Sequence, residues 1–153
     1  MLGRLTGSKH RHGSATVEFA LTLPLLFLLC MGTTDFGRLF YNAVTVANAA
    51  GTGAFYGTRN NIYATDRAGM EAAARNDAKN LQSVTATADF FCDCPNNPGP
   101  SSGVNCITGT CGTYGYPRLY VRTNVRQTFE TIGPYPGIPS STVVGRDGFM
   151  RVQ

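Results

Sequence analysis

A long apolar run near the N-terminus, interrupted by one carboxylate, constrains this chain more than any other feature. The run extends from Ala15 to Thr34, and Glu18 is its only charged residue. Its length suits a helix that crosses a bilayer, which requires about 20 apolar residues. Pro24 lies inside the run, where a membrane helix tolerates it with a kink. Because a charge in hydrocarbon is expensive, we expect Glu18 to be functional and to have a partner.

The segment that precedes the run is polar and cationic. Residues 1–13 include the basic side chains Arg4, Lys9, His10, Arg11 and His12. A cationic segment ahead of an apolar run stays in the cytoplasm, so the rest of the chain is expected on the other side of the membrane. The sequence therefore predicts a single-pass helix with a cytoplasmic N-terminus.

The charge balance excludes one class of partner. The formal net charge is +4, and charged residues make up 14% of the chain, compared with about 25% in soluble domains. A chain that begins at Ser14 loses Arg4, Lys9 and Arg11 and becomes almost neutral. Nucleic-acid binding requires clustered basic residues, so no nucleic-acid partner is expected.

Three interpretations of the N-terminal segment compete. In the first, the run is a plain signal anchor, and Glu18 reaches toward the headgroups. In the second, it is a secretory signal cleaved at the A-x-A motif of Ala47–Ala49, although this site lies well beyond the apolar core. In the third, a basic leader ends in Gly13, four residues intervene, and Glu18 and Phe19 open an apolar helix. That order and spacing are typical of a prepilin.

The stretch RHGSATVEFALTLPLL, followed by DFGRLFY, resembles the TadE-like family of pseudopilins. These proteins belong to the tight-adherence (Flp, type IVc) pilus machinery of bacteria. The resemblance covers Arg11–Tyr41. It implies cleavage after Gly13 by a prepilin peptidase at the cytoplasmic face of the inner membrane, which leaves Ser14 as the new N-terminus. It also implies a structural role as a minor pilin needed for assembly of the pilus.

The implied partners are other pilins, the prepilin peptidase, the inner-membrane assembly platform and membrane lipid. The mature domain would be periplasmic, and extracellular once it is assembled into a pilus. The alternative is a permanently anchored periplasmic interaction module that never enters a filament.

Glu18 has a physical rationale that does not depend on the family. It lies about 6 Å along a helix from Ser14. If subunits stack with a small axial stagger, the Ser14 ammonium of one lies beside the Glu18 carboxylate of the next. Paired charges are tolerated in lipid where a lone charge is not. We expect this pair to set the register of the subunits. In the competing interpretation, Glu18, together with Phe19, serves only recognition by the peptidase, or Glu18 has no role at all.

Helical periodicity continues beyond the apolar run, and one helix over residues 14–57 is predicted. A stripe of mostly small side chains, typical of close helix packing, consists of Phe36, Phe40, Ala43, Ala47, Ala50 and Ala54. It predicts contact with a filament core, with the domain of the same chain, or with each along a different half. Asp35 and Arg38 are assigned to the membrane exit.

Residues 58–153 are predicted to form a periplasmic α+β domain. A second helix is expected over Asp66–Leu81, capped by Thr65 or Asp66. Alternation predicts strands at Ser83–Phe91 and Arg118–Glu130, and a last strand that is interrupted at Gly145–Gly148 between Thr142–Val144 and Phe149–Val152. The fold class is α+β, with the long helix on a small antiparallel sheet of three or four strands.

The segment Cys92–Cys111 is rich in turn-forming residues and contains Cys92, Cys94, Cys106 and Cys111. In an oxidising compartment these cysteines predict two disulfides, and a zinc site is the less favoured alternative. The favoured pairing is nested, with Cys92 bonded to Cys111 and Cys94 to Cys106. Cys30, inside the apolar run, is interpreted as a small hydrophobic residue.

No residue pattern points to catalysis, a metal or a cofactor. Both histidines lie in the leader, and Asp89 and Asp93 are interpreted as turn residues beside the cysteine segment. Arg122 and Arg126 are expected on the solvent face of their strand, with an acidic partner as the less favoured alternative. The chain is not expected to be an enzyme.

Overall fold

The computed structural model describes residues 13–135 and 137–152, so most of the predicted leader lies outside the described residues. The helices are α1 (Ser14–Gly57), α2 (Asn61–Thr65) and α3 (Arg67–Asp77), and the strands are β1 (Val84–Asp93), β2 (Arg118–Glu130) and β3 (Ser141–Arg151). Short 3₁₀ turns, Pro100–Ser102 and Gly112–Tyr114, lie between β1 and β2. The strands pair antiparallel in the order β1-β2-β3. The predicted α+β class is confirmed.

The second half of α1 packs on the inner face of this sheet through small side chains. Ala49, Ala50 and Ala54 are almost fully buried. Gly53 allows a close approach to β2, because a Cβ there would lie 2.7 Å from Thr123 Cγ2. Burial of this face against Val121 and other residues of β2 forms the core.

The predicted small-residue stripe divides along its length. Ala50 and Ala54 face the domain, whereas Phe36 and Phe40 are 70% and 65% exposed, and Ala47 is exposed as well. The inner half of the stripe is therefore the buried face of this domain, and the outer half faces away from it.

The second predicted helix begins as expected but ends earlier. The Asp66 side chain accepts a hydrogen bond from the Gly69 amide at 2.9 Å and caps α3. The prediction that helix extends to Leu81 is wrong, because α3 ends at Asp77. Ser83 adopts a positive φ of 56° and turns the chain into β1. The separate helical turn α2, capped by Asn60, was not predicted.

The predicted interruption of the last strand is also wrong. β3 is continuous, and Gly145 and Gly148 pair with Arg126 and Thr123 of β2. A Cβ at Gly148 would lie 2.3 Å from the carbonyl oxygen of Ala50. Glycine is needed here because the backbone of α1 crosses the strand at this point, and not because the chain turns.

α1 runs along β2, so its contacts define the two ends of the domain. Asp35 lies beside Ile132, just after β2, and Gly57 lies beside Val121, near the start of β2. The 13 residues of β2 span about 40 Å. The loop between β2 and β3 therefore lies next to the end of the apolar run, and the cysteine segment lies at the far end.

The two glycines of β3 provide a matched test of this packing. Gly148→Ala is expected to lower the free energy of unfolding by about 1–3 kcal/mol, because the new methyl group meets helix backbone. At Gly145 the nearest atom to a Cβ is Cγ of the Arg126 side chain, 3.2 Å away, so Gly145→Ala is expected to stay within about 0.5 kcal/mol of the wild type. Denaturant unfolding of both variants measures the difference, and equal values would contradict the packing.

Candidate functional site

The first half of α1 projects from the folded domain as an exposed apolar helix. Residues 15–30 are all exposed, with Leu21 at 75% and Phe27 at 67%. Within the described chain this helix is long and apolar enough to cross a membrane. The structure therefore places a candidate membrane span at the position that the sequence predicted.

The predicted processing residues lie at the tip of this helix. Gly13 immediately precedes α1, and Ser14 is its first residue. Glu18 and Phe19 follow in the first two turns and are exposed. Cleavage between Gly13 and Ser14 and a register role for Glu18 remain predictions.

Asp35 forms a junction between α1 and the loop that joins β2 to β3. Its side chain is buried, with the residue 6% exposed. One carboxylate oxygen accepts hydrogen bonds from the Ile132 amide and the Tyr135 hydroxyl, both at 2.9 Å. The other accepts from Nη1 of Arg38 at 2.8 Å. Sequence reasoning assigned Asp35 and Arg38 only to the membrane exit, since the loop partners are about 100 residues away along the chain.

The electrostatics of this junction favour the charged carboxylate. Burial acts to raise the pKa of Asp35, but the hydrogen bonds from Ile132, Tyr135 and Arg38, together with the Arg38 charge, outweigh it and hold the pKa below its ordinary value. Burial raises the pKa of the Tyr135 hydroxyl, and donation to Asp35 raises it further. The carboxylate thus accepts three hydrogen bonds, and charge-assisted bonds of this kind are stronger than neutral ones.

The lowered pKa of Asp35 gives a pH-dependent prediction. The charged carboxylate stabilises the fold above about pH 4, the ordinary Asp value, and this contribution is lost as the pH falls through the folded pKa. Asp35→Asn is therefore expected to be less stable than the wild type at pH 7, and the difference is expected to vanish in acid. Unfolding of the full chain in detergent over a pH series measures this.

Asp77→Asn, at an exposed position at the end of α3, is the matched control and is expected to match the wild type throughout. A deficit of Asp35→Asn that is the same at every pH would contradict a role for the charge.

The four cysteines of the distal segment form two disulfides, as predicted, but in a different pairing. Cys92 is bonded to Cys106 and Cys94 to Cys111, so the nested pairing is wrong. The chain returns beside the end of β1, where Cys92 and Val104 form an antiparallel bridge. This return places Cys106 next to Cys92 and leaves Cys94 for Cys111.

Asp89 and Asp93, interpreted as turn residues, both lie within β1, so that interpretation is wrong. Asp93 is buried, accepts from the Gly99 amide at 3.0 Å and lies 3.3 Å from Nε of Arg118. It therefore ties the cysteine segment to the start of β2. Asp89 is exposed and pairs with Arg67 at 2.7 Å.

Paired double substitutions test the disulfide pattern. Cys92→Ser with Cys106→Ser removes one whole bridge, so Cys30 is expected to be the only cysteine that titrates in the denatured, unreduced chain. Cys92→Ser with Cys111→Ser breaks both bridges, so Cys94 and Cys106 are expected to titrate as well. Loops of this length predict a loss of about 3 kcal/mol for each bridge. The reverse thiol pattern would support the nested pairing.

Arg122 and Asn124 on the outer face of the sheet share one acceptor, Asp147. Arg122 donates to Asp147 through Nε and Nη2, both at 3.1 Å, and Asn124 donates to the same oxygen at 2.8 Å. The Asn124 hydrogen bond, with those from Arg122, lowers the pKa of Asp147 although partial burial acts to raise it. Nε of Arg126 donates to Asn124 at 3.0 Å. The polar outer face predicted for β2 is confirmed, and Arg122 has its acidic partner within the sheet.

The family described as TadE-like protein matches residues 13–54. The N-terminal segment is TadE-like. The match begins at the predicted processing residue Gly13 and contains both Glu18 and Asp35. The family resemblance noted in the sequence is therefore confirmed over these residues. No curated protein and no solved structure matches the chain.

Among residues 13–135 and 137–152, no group of three or more His, Cys, Asp and Glu side chains could hold a metal ion. The TadE-like segment, which includes the exposed apolar half of α1 and its junction with the domain at Asp35, is the candidate functional site.

Proposed function

We propose that this protein is a minor pilin, or pseudopilin, a structural component needed for assembly of a bacterial tight-adherence pilus. In this proposal, a prepilin peptidase cleaves it after Gly13, and the mature chain begins at Ser14. The observation that carries the proposal is the TadE-like match, which starts at Gly13 and covers the exposed apolar helix. The role is structural and not catalytic.

The shape of the molecule is suited to this role. A helix of 44 residues is about 65 Å long, and only its second half is covered by the domain. The first half lies in the inner membrane before assembly and among the helices of other subunits after extraction. Beyond the span, Phe36, Phe40 and Phe55 remain exposed on α1 and are available to neighbouring pilins.

Glu18 sets the register in this proposal. In hydrocarbon, the carboxylate is tolerated when the Ser14 ammonium of a neighbouring subunit lies beside it. A subunit that enters out of register places these two charges apart, so the pairing selects one axial position. This charge pair contributes more to the specificity of assembly than to the net stability of the filament.

The start of the mature chain tests the proposal. We expect mass spectrometry of the protein from a host with active prepilin peptidase to show a chain that begins at Ser14, and the full chain when the peptidase gene is deleted. An intact Gly13–Ser14 bond in the presence of the active enzyme would instead support a permanently anchored envelope module.

Substitution of Glu18 tests the register role. Glu18→Gln keeps the size of the side chain but removes its charge, so we expect normal cleavage and loss of incorporation into sheared pili. Glu18→Asp keeps the charge and is the matched control, for which we expect partial or full incorporation. Immunoblots of membrane and sheared fractions measure both steps, and normal incorporation of Glu18→Gln would rule out register pairing.

A further inference from the structure

Apolar side chains from two distant parts of the chain lie exposed where the apolar run ends. Phe36 and Phe40 of α1 are 70% and 65% exposed, and Ile132 and Ile138 of the loop between β2 and β3 are 54% and 59% exposed. The sequence of this loop, residues 131–140, contains no Asp, Glu, Lys or Arg. Exposed apolar groups concentrated in an uncharged segment mark an interaction surface.

The loop is held against the last turn of the span. Asp35 accepts hydrogen bonds from Ile132 and Tyr135, and a Cβ at Gly133 would lie 3.0 Å from Cε of Met31. Met31 lies within the predicted membrane segment. Because the loop contacts a residue of the span, it lies at the depth of the bilayer surface whenever α1 crosses a membrane.

The same region encloses an apolar cleft. Its volume is about 200 Å³, and its lining includes Gly32, Leu39, Phe129, Tyr135 and Ile138. Tyrosine beside apolar residues is the composition of the membrane–water interface, where the ring is partly immersed and the hydroxyl finds a polar partner. Here that partner is Asp35.

The distribution of the exposed groups favours lipid over a protein partner. Phe40 lies about 140° around the helix from Asp35, so apolar groups extend from the loop side well around α1. A bilayer surrounds a helix on all sides, whereas a protein neighbour covers one side. The surface is also continuous with residues 15–30, which are all exposed and apolar apart from Glu18 and a few small polar residues.

We propose that Ile132, Tyr135 and Ile138, together with Phe36 and Phe40, form a collar that sits in the interfacial layer of the bilayer that α1 crosses. Its ligand is the boundary between lipid headgroups and acyl chains. The collar rests on the proposed function only in requiring that α1 spans a membrane. It holds the domain upright on the membrane, with the disulfide segment directed away, until the subunit is extracted.

The chain contains no tryptophan, so a single substitution provides a unique fluorescent reporter. Ile138→Trp places it in the collar, and Ile132→Trp gives a second reading there. Ile107→Trp, at a position that is 94% exposed in the distal cysteine segment, is the matched control. Phe27→Trp reports on the span itself. Each full-length variant is reconstituted in vesicles of phosphatidylethanolamine and phosphatidylglycerol, with the disulfides checked by thiol titration.

Two quenchers decide the result. We expect lipid brominated high on its acyl chains to quench most of the emission of Ile138→Trp and Ile132→Trp and to shift the remainder to the blue. Aqueous acrylamide is expected to quench Ile107→Trp strongly and the collar variants weakly. Collar variants that are open to acrylamide and unaffected by brominated lipid would overturn the proposal.

Collar variants shielded from both quenchers would also overturn it, in favour of a protein partner such as a second copy of this chain. Quenching of Phe27→Trp by brominated lipid distinguishes failure of the collar proposal from failure of the proposed membrane span. If that variant is quenched and the collar variants are not, the collar alone is wrong. If it is not quenched, the membrane location in the proposed function fails, and the collar fails with it.

Discussion

The structure depends on the hydrogen bonds that the Asp35 carboxylate accepts at the end of the apolar run. A long helix that projects from its domain has no intrinsic reason to keep that domain in one orientation. Asp35 provides that reason, because it binds the loop after β2 through Ile132 and Tyr135 and keeps its charge beside Arg38. A buried carboxylate without such partners would be strongly unfavourable. The charge therefore requires the loop to lie where it does.

α1 is one continuous helix whose two halves have different surroundings. Its first half presents large apolar side chains in every direction, as a lipid-exposed helix does. Its second half presents alanine and glycine to the sheet, so the helix backbone approaches β2 and β3 closely. The change from large to small residues along one helix therefore marks where the exposed candidate span ends and the part of α1 that packs on the domain begins.

Most of the fold was predictable because its signals are local. The apolar run, the alternation of β2 and the clustering of four cysteines each lie within a short stretch, and the helix, the strand and the two disulfides that they predict are present. Two of the errors arose where the deciding contact is distant. Gly148 reads as a strand breaker until α1 is known to cross it, and the cysteine pairing depends on how Val104 returns to β1.

In the candidate site, too, the features with local signals were predictable and the one that depends on distant contacts was not. The predicted processing residues and Glu18 can be picked out in the sequence, because the prepilin-like pattern is a matter of order and spacing. The junction role of Asp35 is not visible, since a carboxylate four residues after Met31 reads as a membrane-exit charge until its loop partners are known. Its TadE-like context covers only residues 13–54, whereas Ile132 and Tyr135 lie outside the match.

Hydrogen exchange of the Ile132 amide in the full-length protein tests the central claim most directly. This amide lies at an exposed residue just beyond β2, and its hydrogen-bond acceptor is the Asp35 carboxylate. If that junction fixes the domain to the helix, the amide exchanges slowly, at a rate comparable to that of the neighbouring Thr131 amide, which donates to the backbone of Ser140. Exchange at the rate of an unstructured peptide, with Thr131 still protected, would contradict the account.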